Sequence, residues 1–516
     1  MAKLTADSVL RTFFHPAWTK PVFAVSDETE NRPDLRTLHI LAQAVDLALA
    51  QAELSPHAIQ TMRVGVCLGT TVGCQFCTVL NDLRPTPAYG RFLETGTADP
   101  QEGADFLSRN PAEWIAHWLG LPEDAPAVCV TNACSSGSDA IGVASFWIRN
   151  GCCDLVIAGG CDSLSAIPYS GFSALGVYSD DPCKPFAEDR DGLTLGEGAG
   201  ILILETAESL RVRGISRSLA VLGYGSNCDA YHLTAPDPSG DGLRRAVLSA
   251  LTEAGVSPSQ ITAINPHGTA TRDNDAVEQQ VLGELFPASR ILPTKDKTGH
   301  TLGAAGAIEA VFAAELARDG GTVLSTSLAF GGSNAALVIG SADLPRTPRT
   351  GGYAPADTPY EKPTPGKATP RRASGFAKLA VEGVCQAAQE IPEGIARTRV
   401  GLILATSFGA HRETFAFADE LLEAPELPPS PLRFSHTVHN AAAAYATIAA
   451  GIHGPCLTLC AFRNVRERAE ELARCWIDNG FADAVVVGQV DEVSSPLVCF
   501  VPTLENVVQF AVIARR

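Results

Sequence analysis

Cys134 stands where the chain changes from an apolar stretch to a run of small residues. Residues 128–131 predict a strand, and residues 135–150 predict the helix that follows it. A thiol at a helix N-terminus faces unpaired backbone N–H groups and the positive end of the helix dipole, which favour the reactive thiolate. Any one of 15 cysteines is more often structural than catalytic. Cys134 is therefore a candidate nucleophile whose support must come from elsewhere in the chain.

Three clusters farther along the chain could complete a site with this thiol. The first is N-P-H-G-T-A-T, which carries His267 at the end of a predicted strand. The second is K-D-K-T-G-H-T-L-G-A-A-G-A-I-E, which carries His300, and the third is F-G-G-S-N, which begins at Phe330. Histidines outside such clusters are more often structural, and this is what we expect for His439 and His453.

In this order, the motifs resemble those of the β-ketoacyl-[acyl-carrier-protein] synthases of the thiolase superfamily, in their elongating Cys-His-His type. The resemblance covers about residues 35–340, including P-F-A-E-D-R-D-G and G-E-G-A-G between the clusters. It implies a thiolase-like α/β fold of two related βαβ halves, layered α-β-α-β-α, with the site between the halves. The alternation of apolar strands and helices along the chain agrees with an α/β class.

The resemblance implies decarboxylative Claisen condensation, an acyltransferase reaction of fatty-acid, polyene or polyketide biosynthesis. Cys134 would take an acyl group from a carrier thioester, and the enolate formed from malonyl-carrier would attack it. His267 and His300 would stabilise the enolate oxygen through their N–H groups. The backbone N–H groups of Cys134 and Phe330 would form a second oxyanion hole, with Phe330 also acting as a gate.

The resemblance also implies supporting roles for six further residues. Lys295 would order the histidine site and Glu309 would be its supporting carboxylate, although an ion-pair role for the lysine and a structural role for the glutamate remain open. The groups expected to bind substrate or to make room for it are Thr269 and Thr271, which would hold the phosphopantetheine arm, and Gly331 and Gly332, which would accommodate the Phe330 backbone.

No tightly bound cofactor is expected, because phosphopantetheine would be delivered by the acyl carrier protein. The glycine-rich stretches match neither a P-loop nor a dinucleotide fingerprint. Cys74 and Cys77 match C-x-x-C, but no second pair or nearby histidine completes a metal site, so we expect no metal.

The C-terminal part of the chain repeats the pattern of the first. Trp476-Ile-Asp-Asn-Gly matches Trp147-Ile-Arg-Asn-Gly, and the gapless register aligns Arg463 with Cys134. A slip of two or three residues would instead align Ala461 or Cys460. We prefer the gapless register because proline and tryptophan match at its two ends.

These patterns predict four parts. They are an N-terminal synthase half (1–165), a C-terminal half (166–340), a Pro-rich linker (341–372) and a degenerate synthase-like repeat without a nucleophile (373–516). The degenerate repeat, which we call the third segment, is expected to be structural or partner-binding, and to cover a surface that a second subunit normally uses.

Charge and hydropathy limit the partners. The formal net charge of −18 argues against nucleic acid and anionic membranes as partners. Residues 434–462 lack charged side chains, but their composition predicts a buried helix and strand rather than a membrane span. With no signal-like N-terminus and irregularly spaced cysteines, the chain is expected to be cytoplasmic.

The expected partners are an acyl carrier protein, which would need a local basic patch, and a second copy or related ketosynthase in a homodimer or heterodimer. Two alternatives stay open at this stage. One is a non-condensing scaffold resembling a chain-length factor, and the other is a malonyl decarboxylase or acyltransferase that uses the same residues without chain extension.

Overall fold

The computed structural model describes residues 11–13, 20–25, 36–71, 110–345, 359–363, 370–424, 427–492 and 506–515. Its strands are β1 (Arg11–Phe13), β2 (Val22–Ala24), β3 (Val64–Gly69), β4 (Ala127–Val130), β5 (Leu155–Asp162), β6 (Leu195–Gly196), β7 (Gly198–Glu205), β8 (Leu219–Cys228), β9 (Ala263–Asn265), β10 (Arg290–Ile291), β11 (Val323–Leu328), β12 (Ser333–Ser341), β13 (Val400–Thr406), β14 (Cys456–Cys460), β15 (Ala484–Asp491) and β16 (Val507–Ala514).

The α-helices within these ranges are α1 (Arg36–Gln51), α2 (Pro56–Gln60), α3 (Pro111–Trp118), α4 (Ser136–Arg149), α5 (Ala166–Ala174), α6 (Ala207–Val212), α7 (Asp241–Ala254), α8 (Arg272–Leu285), α9 (Lys295–Thr298), α10 (Ala305–Ala317), α11 (Gly375–Ala387), α12 (His411–Glu423), α13 (Pro431–Ser435), α14 (Ala441–Ala450) and α15 (Val465–Asp478).

We call the N-terminal half (1–165) the first segment and the C-terminal half (166–340) the second segment. An eight-stranded sheet joins the first segment, together with β7 of the second, to the third segment. Its order is β16-β15-β13-β14-β4-β3-β5-β7. The two segments meet at β14 and β4, which pair antiparallel with Leu459 opposite Val130 and Cys460 opposite Cys129. The inner strands on each side are parallel and almost entirely buried, as expected for continuous apolar runs covered on both faces. From either edge inward, the sheet has one antiparallel edge strand followed by three strands that are parallel to one another. The sheet therefore has approximate twofold symmetry about the β4–β14 junction.

A five-stranded sheet, in the order β10-β9-β11-β12-β8, belongs to the second segment. Helices α4 and α10 lie between the two large sheets and approach closely through glycines. A Cβ atom at Gly137 would lie 2.6 Å from the backbone nitrogen of Ala307, and one at Gly306 would lie 2.3 Å from Ser138 Oγ. Helices α1 and α3 cover the first sheet, and α7 covers the second. The predicted thiolase-like α-β-α-β-α layering is therefore confirmed.

The third segment shares its core with the other two. The Phe481 ring lies 5.2 Å from Phe146 of the first segment and 5.5 Å from Tyr224 of the second, measured between ring centroids. Trp476 of α15 packs on the same ring at 5.5 Å. Aromatic side chains contribute large buried areas, so this cluster joins all three segments in one core.

The helices support the gapless register of the repeat. Helices α4 and α15 each have 14 residues. The first begins two residues after Cys134 and the second begins two residues after Arg463, so these two positions are structurally equivalent. The stretch without charged residues forms α14 and β14, as predicted.

The boundaries of the four predicted parts remain predictions. Most of the Pro-rich linker lies outside the described residues, as do Cys74 and Cys77. Across the described ranges, no helix combines the length and apolar character that crossing a bilayer requires.

Candidate active site

The turn that carries Cys134 is strained and held from two sides. Ala133 has a φ of 49°, a left-handed conformation that costs energy for a residue with a Cβ atom. Its carbonyl accepts from Ser136 Oγ at 2.6 Å. Asn132 donates to the Cys456 carbonyl and accepts from the Thr458 N–H, both at 2.8 Å. Strand β14 of the third segment therefore helps to fix the conformation that presents Cys134 at the start of α4.

Cys134, His267 and His300 form one buried cluster. His300 Nε2 lies 3.1 Å from Cys134 Sγ. The two imidazole rings are nearly perpendicular, with centroids 5.2 Å apart. One polar atom of each of the three residues lies within 4.8 Å of the other two. The structure thus brings together three side chains that are far apart in the sequence.

Lys295 organises the histidine side of this cluster. Its Nζ lies 2.5 Å from the His267 carbonyl oxygen and 3.2 Å from His267 Nδ1, and it also donates to Glu309 Oε1. These three acceptors match the three N–H groups of an ammonium. Because Nδ1 accepts this hydrogen bond, the proton of neutral His267 is assigned to Nε2.

Both imidazoles are neutral in this site. Burial lowers the pKa of His267 and of His300 well below the usual value, and the positive charge of Lys295 lowers each further. A neutral imidazole has one N–H group to donate and one nitrogen that accepts a proton. Each ring can therefore offer one N–H group to a developing oxyanion.

The thiol differs from the sequence-based expectation. Burial raises the pKa of Cys134 to about 12, although Lys295 and the Phe330 N–H act in the opposite direction. In the substrate-free site, removal of the sulfur from water outweighs these favourable interactions and keeps the thiol protonated, so the expected thiolate is not the resting form. The resting arrangement is a neutral thiol beside a neutral His300.

We expect the alkylation rate of Cys134 by iodoacetamide to keep rising from roughly pH 7 to pH 10, because only the thiolate reacts and its fraction grows until the pH reaches the pKa. Peptide mapping by mass spectrometry at a series of pH values would measure this rate, with Cys134→Ser protein as the background. A rate that levels off below about pH 9 would contradict the raised pKa.

A carboxylate that sequence reasoning missed supports His267. Glu278 accepts the backbone N–H groups of His267 at 2.7 Å and Gly268 at 2.6 Å. It is fully buried on α8, and burial raises its pKa to about 7. Asn274 and Asp275 are buried beside it on the same helix. Three polar residues on the face that also carries Val277 and Val281 were the available signal, since a buried helix face is normally apolar.

A second buried carboxylate joins the two synthase halves. Asp162 accepts from Thr70 Oγ1 at 2.8 Å, from Thr71 Oγ1 at 2.7 Å and from the Gly303 N–H at 2.7 Å. The repeat preserves part of this pattern, since Asp491 accepts from Thr406 Oγ1 at 2.6 Å. Asp491 therefore corresponds to Asp162 in its side-chain contacts.

The remaining predicted residues lie around the cluster. Thr269 and Thr271 hydroxyls are 2.8 Å apart. Gly331 and Gly332 have φ values of 86° and 73°, which favour glycine and explain the Gly-Gly pair after Phe330. The Phe330 ring packs 5.4 Å from that of Phe172.

A cavity opens beside Cys134 and draws its walls from several segments. The first two segments supply Ile167, Phe172, Leu302 and Phe330 among others. The third segment supplies Thr414, Phe434, Thr437 and Val438. Sequence reasoning did not place any of these four residues at the site.

The sequence matches β-ketoacyl synthase domains in three regions. Residues 12–209 match the beta-ketoacyl synthase N-terminal domain, and residues 219–326 match the C-terminal domain. Residues 366–499 match a second description of the beta-ketoacyl synthase N-terminal domain. The third segment is thus related to the N-terminal half of a synthase.

Two curated relatives carry the same name. A 3-oxoacyl-[acyl-carrier-protein] synthase 2 from Synechocystis sp. is 35% identical over 301 residues, which cover 55% of this chain and 70% of the relative. One from Staphylococcus aureus is 36% identical over 260 residues, which cover 43% of this chain and 63% of the relative.

Solved structures agree with the fold. The ishigamide ketosynthase/chain length factor is 28% identical, with a TM-score of 0.57, and the match covers 66% of this chain and 93% of that one. The match to the PfaC keto synthase–chain length factor covers 94% of this chain and 69% of that chain, with a TM-score of 0.66. At 16% identity, this likeness shows the fold alone. From the two synthase domains in order and the identity to the Synechocystis protein, we conclude that the chain belongs to the β-ketoacyl synthase family of condensing acyltransferases.

Proposed function

We propose that this protein condenses an acyl group held on Cys134 with the malonyl group of an acyl carrier protein, with loss of CO2. The observation that carries this proposal is the contact of His300 Nε2 with Cys134 Sγ at 3.1 Å, beside a second neutral imidazole. A thiol next to a neutral base suits acyl transfer, and two imidazole N–H donors suit stabilisation of an enolate.

The first half-reaction begins with the neutral thiol. As Cys134 Sγ attacks the carrier thioester, its proton passes to His300, which offsets the cost of a buried thiolate. The backbone N–H groups of Cys134 and Phe330 receive the oxyanion of the tetrahedral intermediate. When this intermediate collapses, the carbon–sulfur bond to the carrier breaks, and His300 returns the proton to the phosphopantetheine sulfur.

The second half-reaction uses the neutral imidazole pair. The malonyl thioester loses CO2, and the electron pair of the broken bond forms an enolate whose oxygen accepts from the Nε2–H groups of His267 and His300. Once Cys134 is acylated, His300 no longer faces a thiol proton, and its neutral ring carries its own proton on Nε2 for this step. The enolate carbon attacks the acyl carbonyl on Cys134, and a carbon–carbon bond forms. The carbon–sulfur bond to Cys134 breaks, and the leaving thiolate takes up one proton from solvent to regenerate the thiol. We expect the hydroxyl groups of Thr269 and Thr271 to hold the phosphopantetheine arm.

We also propose that the third segment takes the place of a second subunit's N-terminal half. Strand β14 occupies the edge of β4, and the sheet has approximate twofold symmetry at that junction. Arg463 stands at the position equivalent to Cys134, so this half is expected to shape the site rather than to react. Homologous solved structures include a ketosynthase in complex with its chain length factor.

Intact-mass measurement after incubation with acyl carriers of different chain length tests the proposed function. We expect the mass of one acyl group on Cys134, and a β-ketoacyl product once malonyl-carrier is added. Release of CO2 without a β-ketoacyl product would favour the decarboxylase alternative. No acylation from any carrier would favour the scaffold alternative and would contradict the proposal.

Phe434→Leu is expected to shift acyl-chain preference towards longer chains. The Phe434 ring lies 5.1 Å from that of Phe172 and lines the cavity beside Cys134, so a smaller side chain lengthens the space for an acyl group. Competition between short-chain and long-chain acyl carriers for Cys134, read by intact mass, would measure the change. Leu432→Ala, on the exposed side of α13, is the matched control and should leave the preference unchanged.

A further inference from the structure

Asn440 of the third segment contacts the loop that carries Phe330. Its Nδ2 donates to the Phe330 carbonyl at 2.7 Å. The next backbone N–H, that of Gly331, donates to the Leu233 carbonyl at 2.7 Å. The peptide unit between Phe330 and Gly331 is therefore held at its C=O by the third segment and at its N–H by the second.

The Phe330–Gly332 loop needs such contacts to keep one conformation. Gly331 and Gly332 are both in the left-handed region, where glycine has several accessible conformations. A Cβ atom at Gly331 would lie 2.8 Å from Asn440 Nδ2 and 3.3 Å from Ala444 Cβ, so α14 packs directly against this backbone. The contact fixes the carbonyl side of Phe330, a residue that packs against the buried cluster containing Cys134.

Asn440 makes this contact instead of capping its own helix. It is the N-cap of α14, yet its side chain makes no capping hydrogen bond, and its buried Oδ1 has no hydrogen-bond partner in the described structure. Asparagine at an N-cap normally accepts a backbone N–H of the first turn. The amide is 2% exposed and is directed across the segment boundary instead.

The symmetry-related helix gives an internal comparison. Asn110 is the N-cap of α3, which corresponds to α14 in the first segment. Its Oδ1 accepts from the Ala112 N–H at 3.1 Å and from the Glu113 N–H at 3.2 Å, so it does cap its helix. Asn110 Nδ2 also crosses the segment boundary, where it donates to the Cys460 carbonyl at 3.2 Å. The two asparagines therefore differ in that Asn110 caps its helix and contacts β14, whereas Asn440 leaves its helix uncapped and contacts the active-site loop.

We propose that Asn440 is a positioning residue that holds the Phe330 carbonyl and thereby aims the Phe330 N–H at the sulfur and at the acyl oxyanion. The inference rests on the proposed function for its acyl-transfer step. It assigns to the third segment a specific contribution to the chemistry, although that segment has no nucleophile of its own. The residues that pack around Cys134 agree, since Val438 and Ala441 on either side of Asn440 belong to the same buried cluster.

The test compares Asn440→Ala and Asn440→Asp with Asn110→Ala. For both Asn440 variants we expect the alkylation of Cys134 by iodoacetamide and its acylation by an acyl carrier to slow about tenfold, the scale of one charge-assisted hydrogen bond. Decarboxylation of malonyl-carrier, which uses the imidazole pair, should change less than about twofold, and the Tm of Asn440→Ala protein should fall little because no cap is lost. Asn440→Asp should lower Tm more, because its buried carboxyl group faces the Phe330 carbonyl without a donor. Asn110→Ala should lower Tm and leave both Cys134 rates unchanged.

Two results would overturn the proposal. One is Asn440→Ala protein whose Cys134 reacts at the parent rate in both assays. The other is a parallel loss of alkylation, acylation, decarboxylation and Tm, which would mark a structural role. If the parent protein is not acylated by any carrier, the proposed function fails, while the alkylation rates of the variants still decide whether Asn440 positions the loop.

Discussion

Cys134→Ala protein is expected to lose acylation completely and to lose condensation by at least about 10⁴-fold, the scale seen when a catalytic nucleophile is removed. The reason is geometric, because Cys134 is the thiol that His300 Nε2 approaches at 3.1 Å. Intact-mass analysis after incubation with an acyl carrier, followed by product analysis with malonyl-carrier, measures the two losses separately.

The same variant should still release CO2 from malonyl-carrier. That step needs only the N–H donors of His267 and His300 and forms no bond to sulfur. His267→Ala should show the opposite behaviour, with acylation retained and decarboxylation lost. If Cys134→Ala protein acylates as fast as the parent, the assignment of the nucleophile is wrong.

Cys460→Ala is the matched control. Cys460 is buried on β14, and a three-residue slip of the repeat would make it the counterpart of Cys134. The structure instead places Arg463 at the equivalent position, and burial raises the pKa of Cys460 above its usual range. Acylation of the Cys460→Ala protein should remain at the parent level.

Lys295→Met protein is expected to be both unstable and unable to condense. Lys295 and Glu309 are 1% and 2% exposed. Removal of Lys295 leaves the Glu309 charge buried without an opposite charge, which lowers the free energy of unfolding by about 3–5 kcal/mol. The His267 Nδ1 also loses the donor that assigns its proton to Nε2. Urea unfolding and condensation rates would measure the two effects.

The instability of Lys295→Met should depend on pH. Burial already raises the pKa of Glu309 to about 7 from the ordinary value of 4.5, and loss of Lys295, which lowers it, raises it further. A carboxyl with a raised pKa in the folded protein binds its proton more tightly there than in the unfolded chain, so stability falls as pH rises from about 4.5 through the folded-state pKa. The variant should therefore be least destabilised near pH 5 and most destabilised above pH 7.

Lys295→Met/Glu309→Gln separates stability from chemistry. The second substitution removes the buried charge, so most of the lost stability and its pH dependence should be recovered. Condensation should stay at least about 100-fold below the parent, because the His267 imidazole remains without its donor. Recovery of condensation in the double variant would show that Lys295 acts only as an ion-pair partner.

The sequence was informative where chemistry constrains residue type and order. His267, His300 and Lys295 lie in motifs whose order agrees with the observed buried cluster, and apolar strands alternating with helices indicated the layered α/β fold. Strand β11 was missed, because its Ser and Thr residues interrupt the apolar pattern on which strand prediction depends. Glu278 was missed for a related reason, since the periodicity of α8 indicates a helix but does not reveal what its buried face contacts.

What the sequence determined by itself was the family resemblance, the candidate residues Cys134, His267 and His300, and the existence of a repeat with arginine in place of the thiol. Tertiary structure decided two further points. Burial keeps Cys134 protonated, a result of desolvation that local sequence does not specify. The pairing of β14 with β4 brings Asn440 and Phe434 to the site, because contacts between residues more than 100 positions apart depend on how the sheets assemble.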